Sequence, residues 1–123
     1  CLVNRYRAPS RLSLHQDADE ADFSYPVLSV SLGDTAIFRL GGTRRGGSTR
    51  SLRLASGDVV LLAGEARRAF HGVDRIVPGS SSLIPGGGRI NLTLRRAKPA
   101  QVATGAGLST AVADHPPRRR LPA

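Results

Sequence analysis

The sequence predicts an all-β fold, a double-stranded β-helix or jelly-roll core. Short runs in the middle of the chain alternate apolar and polar residues, and glycine or proline turns separate them. No long stretch keeps the period of an amphipathic helix, and many short strands joined by turns are typical of two packed antiparallel sheets. Since the chain begins with Cys1 and contains no methionine, we expect a core that is incomplete at its N-terminus.

The first clear strand pattern covers residues 27–32, where apolar and small polar side chains alternate. Residues 36–40 resume the pattern after Gly33-Asp34, a pair typical of tight turns. We therefore predict a hairpin over these two runs.

A second hairpin is predicted after the glycine-rich loop 41–47. Its strands are residues 51–54 and 58–62, with the turn at Ser56-Gly57. Two successive hairpins then precede the last strand.

The last strand is predicted over residues 89–95. The two-residue period of a strand separates its polar side chains from its apolar ones. The polar face consists of Arg89, Asn91, Thr93 and Arg95, and the apolar face of Ile90, Leu92 and Leu94. Because charged side chains are rarely buried, we expect the polar face to lie away from the packed core.

The chain divides into a folded core over residues 1–96 and a tail over 97–123. The tail is rich in alanine, proline and glycine without periodicity, and it ends in a run of arginines at 118–120. Such a composition is typical of disordered segments. We predict a disordered basic tail.

The charge of the chain favours polyanionic partners. The formal net charge is +9 and Lys98 is the only lysine, so nearly all basic residues are arginine. An alternative explanation is a GC-rich genome, which favours arginine codons. The single cysteine forms no internal disulfide, and no apolar run approaches the roughly 18 residues of a membrane span. We expect a cytoplasmic monomer with no membrane partner.

One polar cluster has the composition of a metal site. On an extended segment, His15 and Asp17 project to the same side, and His71 can return to them across a β fold. Two histidines and one carboxylate leave coordination positions open, as oxygen chemistry at ferrous iron requires. The alternative is that His15 is an exposed strand end, Asp17 starts an acidic loop, and His71 packs locally.

A second cluster provides a site for a dicarboxylate. Arg89 and Arg95 lie on one face of the last strand, and arginine binds carboxylates through two parallel hydrogen bonds. The alternative is a solvent-facing basic strand.

Taken together, these residues resemble the bacterial AlkB dioxygenases. Five blocks occur in the same order and at similar spacing: Asn4-Arg5-Tyr6, residues 12–17, residues 29–33, His71-Gly72 and residues 89–95. The resemblance spans residues 1–96. It implies a dioxygenase that uses Fe(II), 2-oxoglutarate and O2, with His15, Asp17 and His71 as the iron ligands.

The resemblance also assigns the cosubstrate site. It implies that Arg89, Asn91 and Tyr6 hold the distal carboxylate of 2-oxoglutarate, with Arg95 and Asn4 near the carboxylate that chelates the metal.

The implied reaction is oxidative demethylation of bases such as 1-methyladenine and 3-methylcytosine in DNA repair, releasing formaldehyde, succinate and CO2. Because the methyl group lies on the pairing edge, the expected partner is single-stranded or locally melted DNA, with RNA as a further candidate. Gln16, Asp19 and Arg45 match positions that face the substrate.

The sequence departs from the family at three places. The family frequently has tryptophan where this chain has Leu62, the loop of residues 85–88 is slightly expanded, and we expect the N-terminal nucleotide-recognition lid to be missing. Two alternatives therefore remain: a dioxygenase that acts on a protein or small molecule, and an inactive, basic nucleic-acid-binding fragment.

Overall fold

The fold consists almost entirely of strands. The computed structural model describes residues 1–20, 22–96 and 112–114. In chain order the strands are β1 (Leu2–Tyr6), β2 (Leu12–His15), β3 (Val27–Gly33), β4 (Ala36–Leu40), β5 (Arg50–Leu54), β6 (Val59–Leu62), β7 (His71–Ile76), β8 (Arg89–Leu94) and β9 (Val112–Asp114). A 3₁₀ helix, Gly64–Arg68, connects β6 to β7. The predicted all-β class is confirmed.

The strands form two sheets. One sheet has five strands in the order β6-β3-β8-β1-β9, and the other has four in the order β2-β7-β4-β5. From β1 to β4 each connection crosses from one sheet to the other, as in a double-stranded β-helix. Strands distant in sequence, such as β1 with β8 and β2 with β7, are thereby neighbours.

Both predicted hairpins are wrong. β3 pairs with β6 and β8, whereas β4 pairs with β5 and β7, so the turn after Gly33 connects the two sheets. The turn at Ser56-Gly57 likewise leads from β5 in one sheet to β6 in the other. Alternation and turn residues identify the strands correctly, but a turn that passes between sheets contains the same residues as one within a sheet.

The predicted orientation of the last strand is also wrong. Arg89 and Asn91 are only 2% and 7% exposed and face the space between the sheets, whereas Leu94 on the other face is 41% exposed. The polar face is therefore the inner one. Burying polar groups costs free energy, and this cost must be offset by hydrogen-bond partners or by a bound ligand.

The apolar core occupies one part of the space between the sheets. Its buried members are Tyr6, Ala36, Phe38, Leu54, Val73 and Ile76. They come mostly from the four-stranded sheet, in which β2 and β7 are neighbours.

The tail predicted over residues 97–123 lies outside the described residues, except for Val112–Asp114, which pair in parallel with β1. Within the described part of the chain, no helix has the length and apolar character needed to cross a membrane.

Candidate metal and cosubstrate site

Three potential metal ligands converge at one end of the four-stranded sheet. β2 pairs with β7 so that His15 lies directly opposite His71, and their ring centroids are 4.5 Å apart. Asp17 follows two residues after His15. One ligand atom from each of the three residues lies within 4.8 Å of the others. The topology thus brings together the three residues predicted as metal ligands.

Both imidazoles are oriented by the main chain. The Nδ1 atom of His15 lies 2.9 Å from the carbonyl oxygen of Ser13, and that of His71 lies 2.9 Å from the carbonyl oxygen of Ala69. When Nδ1 donates to a carbonyl, Nε2 is left with the lone pair that binds a metal. The Nε2 atoms lie 3.7 Å and 3.5 Å from the carboxylate oxygens of Asp17.

The carboxylate of Asp17 is held in its ionised form. A hydrogen bond with His71 is the largest influence on its pKa and lowers it, and this outweighs the opposing effect of burial. For His71, burial is the largest influence and lowers the pKa, as does the charge of Arg67, but the hydrogen bonds to Asp17 and to the Ala69 carbonyl raise it overall. A divalent cation bound between these groups would compete with the proton for the same imidazole and carboxylate.

The donor set fits ferrous iron. Two neutral imidazoles and one carboxylate on one side of an ion leave positions open on the other side. A closed structural zinc site has four protein ligands, whereas this group supplies three within the described residues.

A cavity of about 240 Å³ lies beside the three ligands, between the two sheets. Its walls are mainly apolar. The five residues predicted to bind the cosubstrate all line it: Asn4, Tyr6, Arg89, Asn91 and Arg95. Leu62, the position at which the family frequently has tryptophan, is 4% exposed and forms part of the same wall.

Arg89 is the main charged group of this cavity. Its side chain is buried, yet its Nε and Nη1 atoms have no hydrogen-bond partner in the described structure. Burial lowers the pKa of this guanidinium, and the neighbouring Tyr6 opposes the shift. An unpaired buried cation is unfavourable unless a ligand supplies the opposite charge, and a carboxylate matches the geometry of a guanidinium.

Two further polar groups line the cavity. Asn91 donates from Nδ2 to Ser29 Oγ at 2.6 Å and to the Val30 carbonyl oxygen at 3.2 Å, and its Oδ1 accepts from Thr93 Oγ1 at 2.9 Å, so its amide plane is fixed. Arg95 lies at the metal end, with Nη1 3.9 Å from an oxygen of Asp17. Arg89 and Arg95 therefore serve different ends of the cavity.

The three residues predicted to face the substrate lie outside the cavity. Asp19 and Arg45 are exposed, and the Arg45 guanidinium lies over the ring of Phe70, 5.2 Å from its centroid. The amide of Gln16 donates to the carbonyl oxygens of Thr43 at 3.1 Å and Arg68 at 2.5 Å. Gln16 thus joins two loops, which limits its amide nitrogen as a contact for substrate.

Sequence reasoning missed two buried charged residues. Arg67 lies in a segment, residues 64–68, whose charged composition is typical of a solvated turn, but it is 2% exposed. Asp34, 2% exposed, accepts hydrogen bonds from the amides of Ser81 and Gly88 and so fixes the loop before Arg89. In the sequence, only the turn pattern at Gly33-Asp34 drew attention to Asp34. No pattern indicated that Arg67 is buried.

Comparison with known proteins agrees with this geometry. The family model described as "2OG-Fe(II) oxygenase superfamily" matches residues 1–95. A Caulobacter vibrioides protein named "Alpha-ketoglutarate-dependent dioxygenase AlkB homolog" is 73% identical over 100 residues, covering 81% of this chain and 46% of that protein. An Arabidopsis thaliana protein named "DNA N(6)-methyladenine demethylase ALKBH1D" is 43% identical over 105 residues, covering 77% of this chain and 24% of that protein.

Among solved structures, one titled "The structure of OsALKBH1" matches with a TM-score of 0.68 and 40% identity, covering 75% of this chain and 47% of that one. The chain spans less than half the length of these relatives.

Proposed function

The chain belongs to the 2OG-Fe(II) oxygenase superfamily, and from this membership we propose that it is the core of an AlkB-type enzyme that oxidatively demethylates nucleic-acid bases. The predicted AlkB resemblance is confirmed by the 73% identity to the Caulobacter homologue. Beyond the family, we propose the reaction that this chain catalyses and the substrate on which it acts.

One observation supports the proposal most strongly. A group of two imidazoles and a carboxylate opens onto a cavity that also contains a buried guanidinium without a hydrogen-bond partner. Metal ligands alone suit many reactions, and a buried arginine alone suits any anion. Together in a cavity of about 240 Å³ they suit a small dicarboxylate that also binds a metal, which describes 2-oxoglutarate.

The residues have separate tasks in this scheme. His15, Asp17 and His71 hold Fe(II), which together with 2-oxoglutarate and O2 supplies the oxidising chemistry when bound. Arg89 pairs with the distal carboxylate of 2-oxoglutarate, beside the phenol of Tyr6. The apolar walls exclude water and strengthen this ion pair.

Asn91 belongs with Arg89 and Tyr6 at the distal carboxylate. At the other end of the cavity, Arg95 neutralises the carboxylate nearest the metal, and Asn4 supplies an amide contact. Asp19 lies beside the substrate base, and Arg45 and Gln16 face the substrate.

The proposed substrate is a methylated base such as 1-methyladenine or 3-methylcytosine in single-stranded or locally melted DNA, with RNA as a second candidate. The name of the Arabidopsis relative states a DNA base as its substrate. The net charge of +9 supports a polyanionic substrate. A base must leave the stack for its methyl group to reach a site between two sheets.

The proposal is tested by incubating the protein with Fe(II), 2-oxoglutarate and a single-stranded oligonucleotide that carries one 1-methyladenine. We expect loss of the methyl group by mass spectrometry, with formaldehyde and succinate in equal amounts. His71→Ala should abolish turnover, while Arg75→Ala, an exposed residue on the same strand, should retain it. Succinate without formaldehyde in the wild type would refute the nucleic-acid substrate, and no succinate at all would refute the dioxygenase.

A further inference from the structure

Arg67 is a buried cation outside the cosubstrate cavity. It lies in the 3₁₀ helix Gly64–Arg68, where the other residues are exposed, and its own side chain is 2% exposed. Burying a guanidinium is unfavourable unless its N–H groups are satisfied. The hydrogen bonds of Arg67 therefore indicate which segment its buried side chain stabilises.

All three nitrogens of Arg67 donate to the loop between β2 and β3. Nε lies 2.9 Å from the Tyr25 carbonyl oxygen, Nη1 2.8 Å from the Asp17 carbonyl oxygen, and Nη2 2.7 Å from Glu20 Oε2. The guanidinium also lies over the ring of Phe23, 5.4 Å from its centroid. One side chain thus contacts the beginning, the middle and the end of this loop.

The loop in question carries a metal ligand. Residues 16–26 join β2 to β3, and within the described part of the loop no strand or helix fixes the backbone. The side chain of Asp17 is aimed at His15 and His71, while its main-chain carbonyl is bonded to Arg67. The buried guanidinium therefore binds the main chain of the residue whose carboxylate faces the two imidazoles.

Glu20 extends the contact towards the cavity. Its Oε2 binds Arg67, and its Oε1 lies 3.0 Å from Arg95 Nη1, although without the angle of a hydrogen bond. The carboxylate of Glu20 thus links Arg67 to Arg95, the arginine at the metal end of the cavity.

We propose that Arg67 is a positioning residue that presets Asp17 for metal binding by fixing the loop 16–26 in its ligating conformation. This inference rests on the metal site of the proposed function, but not on the identity of the substrate. Without Arg67, the loop must be ordered by the metal itself, and the metal affinity falls by the free energy of that ordering.

Co(II) alone serves as the probe for this inference. Its affinity is measured by calorimetry and its d–d absorption reports ligand geometry. Removing groups that orient metal ligands typically lowers affinity by about 10- to 100-fold. We expect a loss in this range and a changed spectrum for Arg67→Gln. Arg67→Lys, which keeps the charge but fewer of the hydrogen bonds, should recover part of the affinity.

The matched control is Arg68→Gln. Arg68 is the exposed neighbour in the same 3₁₀ helix, and its guanidinium lies over the same Phe23 ring. Its substitution should leave the affinity and spectrum of Co(II) unchanged. Circular dichroism verifies folding of each variant, and Arg67→Lys decides the question if Arg67→Gln does not fold.

Wild-type Co(II) affinity in a folded Arg67→Gln or Arg67→Lys protein would overturn the inference, and so would an equal loss in Arg68→Gln. A wild-type protein that binds Co(II) but demethylates no oligonucleotide would instead refute the proposed function and leave the comparison of Arg67 with Arg68 valid.

Discussion

Tyr6 and Arg89 lie opposite each other on the antiparallel pair β1 and β8, with both side chains buried between the sheets. Burial raises the pKa of the Tyr6 phenol, so the phenol is neutral and does not balance the guanidinium charge. The protein without cosubstrate thus keeps an unpaired charge in a low-dielectric cavity. Such a charge lowers stability and prepares the site for an anion.

The first prediction is that Arg89 lowers the stability of the protein but strengthens its binding of 2-oxoglutarate. Arg89→Met should raise the unfolding free energy of the cosubstrate-free protein by about 1–3 kcal/mol, because an apolar chain of similar length replaces a buried charge. The same change should reduce the increase in melting temperature that 2-oxoglutarate gives in the presence of Mn(II). Arg5→Met on the exposed face of β1 is the control, and it should alter neither quantity. A destabilised Arg89→Met protein would contradict this account of Arg89.

The second prediction concerns the close approach at Gly33. Its φ is +85°, and a Cβ atom there would lie 2.5 Å from Ile84 Cδ1 and still closer to the Gly88 carbonyl oxygen. Gly57 has a similar φ of +92° but open space around it. Gly57→Ala should therefore lose about 1–2 kcal/mol of unfolding free energy from backbone strain alone. Gly33→Ala should lose more, as measured by urea denaturation.

Because Gly88 precedes Arg89, the displaced loop in Gly33→Ala should also weaken 2-oxoglutarate binding, whereas Gly57→Ala should not. Equal effects of the two substitutions on binding would contradict the proposed link between this corner and the cavity.

The third prediction is a pH dependence of stability at Asp34. Backbone hydrogen bonds, first that of the Gly88 amide, lower the pKa of this carboxyl group below its ordinary value of 3.8. A carboxylate with a lowered folded pKa stabilises the protein above the unfolded pKa, and the contribution disappears as the pH falls through the folded pKa. Asp34→Asn should therefore be less stable than the wild type at pH 7. The difference should shrink below about pH 4.

Urea unfolding at several pH values checks this prediction. Asp74→Asn, a partly exposed carboxylate on β7, is the comparison. A wild-type advantage over Asp34→Asn that is constant from neutral to strongly acid pH would show that the charge of Asp34 has no role.

The fourth prediction concerns nucleic-acid binding by the exposed arginines of the loop between β4 and β5. If Arg45 contacts a phosphate, Arg45→Gln should weaken oligonucleotide binding about equally for all sequences and reduce the slope of log K against log salt by about 1. Fluorescence anisotropy at several salt concentrations measures this slope. An unchanged slope would remove Arg45 from the interface.

Sequence patterns predicted the positions of the strands more accurately than their pairing. Alternation located β3 to β6, because each strand has an inner and an outer face whatever its partner. The partners depend on which sheet the chain enters after Gly33 and Gly57, and this is decided by contacts with distant residues such as Gly88 and Ser31. Local turn residues do not encode such contacts.

The candidate site residues could be identified because their chemistry is visible in the sequence. His15, Asp17 and His71 have the composition of a metal site, and the resemblance to a family supplied the roles of Arg89 and Arg95. The rule that charged faces lie outside gave the wrong orientation for Arg89, because this residue lines an internal cavity. Arg67 was missed because burial by a loop without regular structure leaves no periodic pattern.

The central claim is that three ligands and Arg89 form one site for a metal and 2-oxoglutarate. Anaerobic titration of the Fe(II)-loaded protein with 2-oxoglutarate tests it directly, because chelation of iron(II) by a 2-oxo acid produces a visible charge-transfer absorption. We predict a saturable absorption in the wild type, none in His71→Ala, and a higher midpoint concentration in Arg89→Met. A folded wild-type protein without this absorption at saturating 2-oxoglutarate, or a His71→Ala protein that retains it, would contradict the claim.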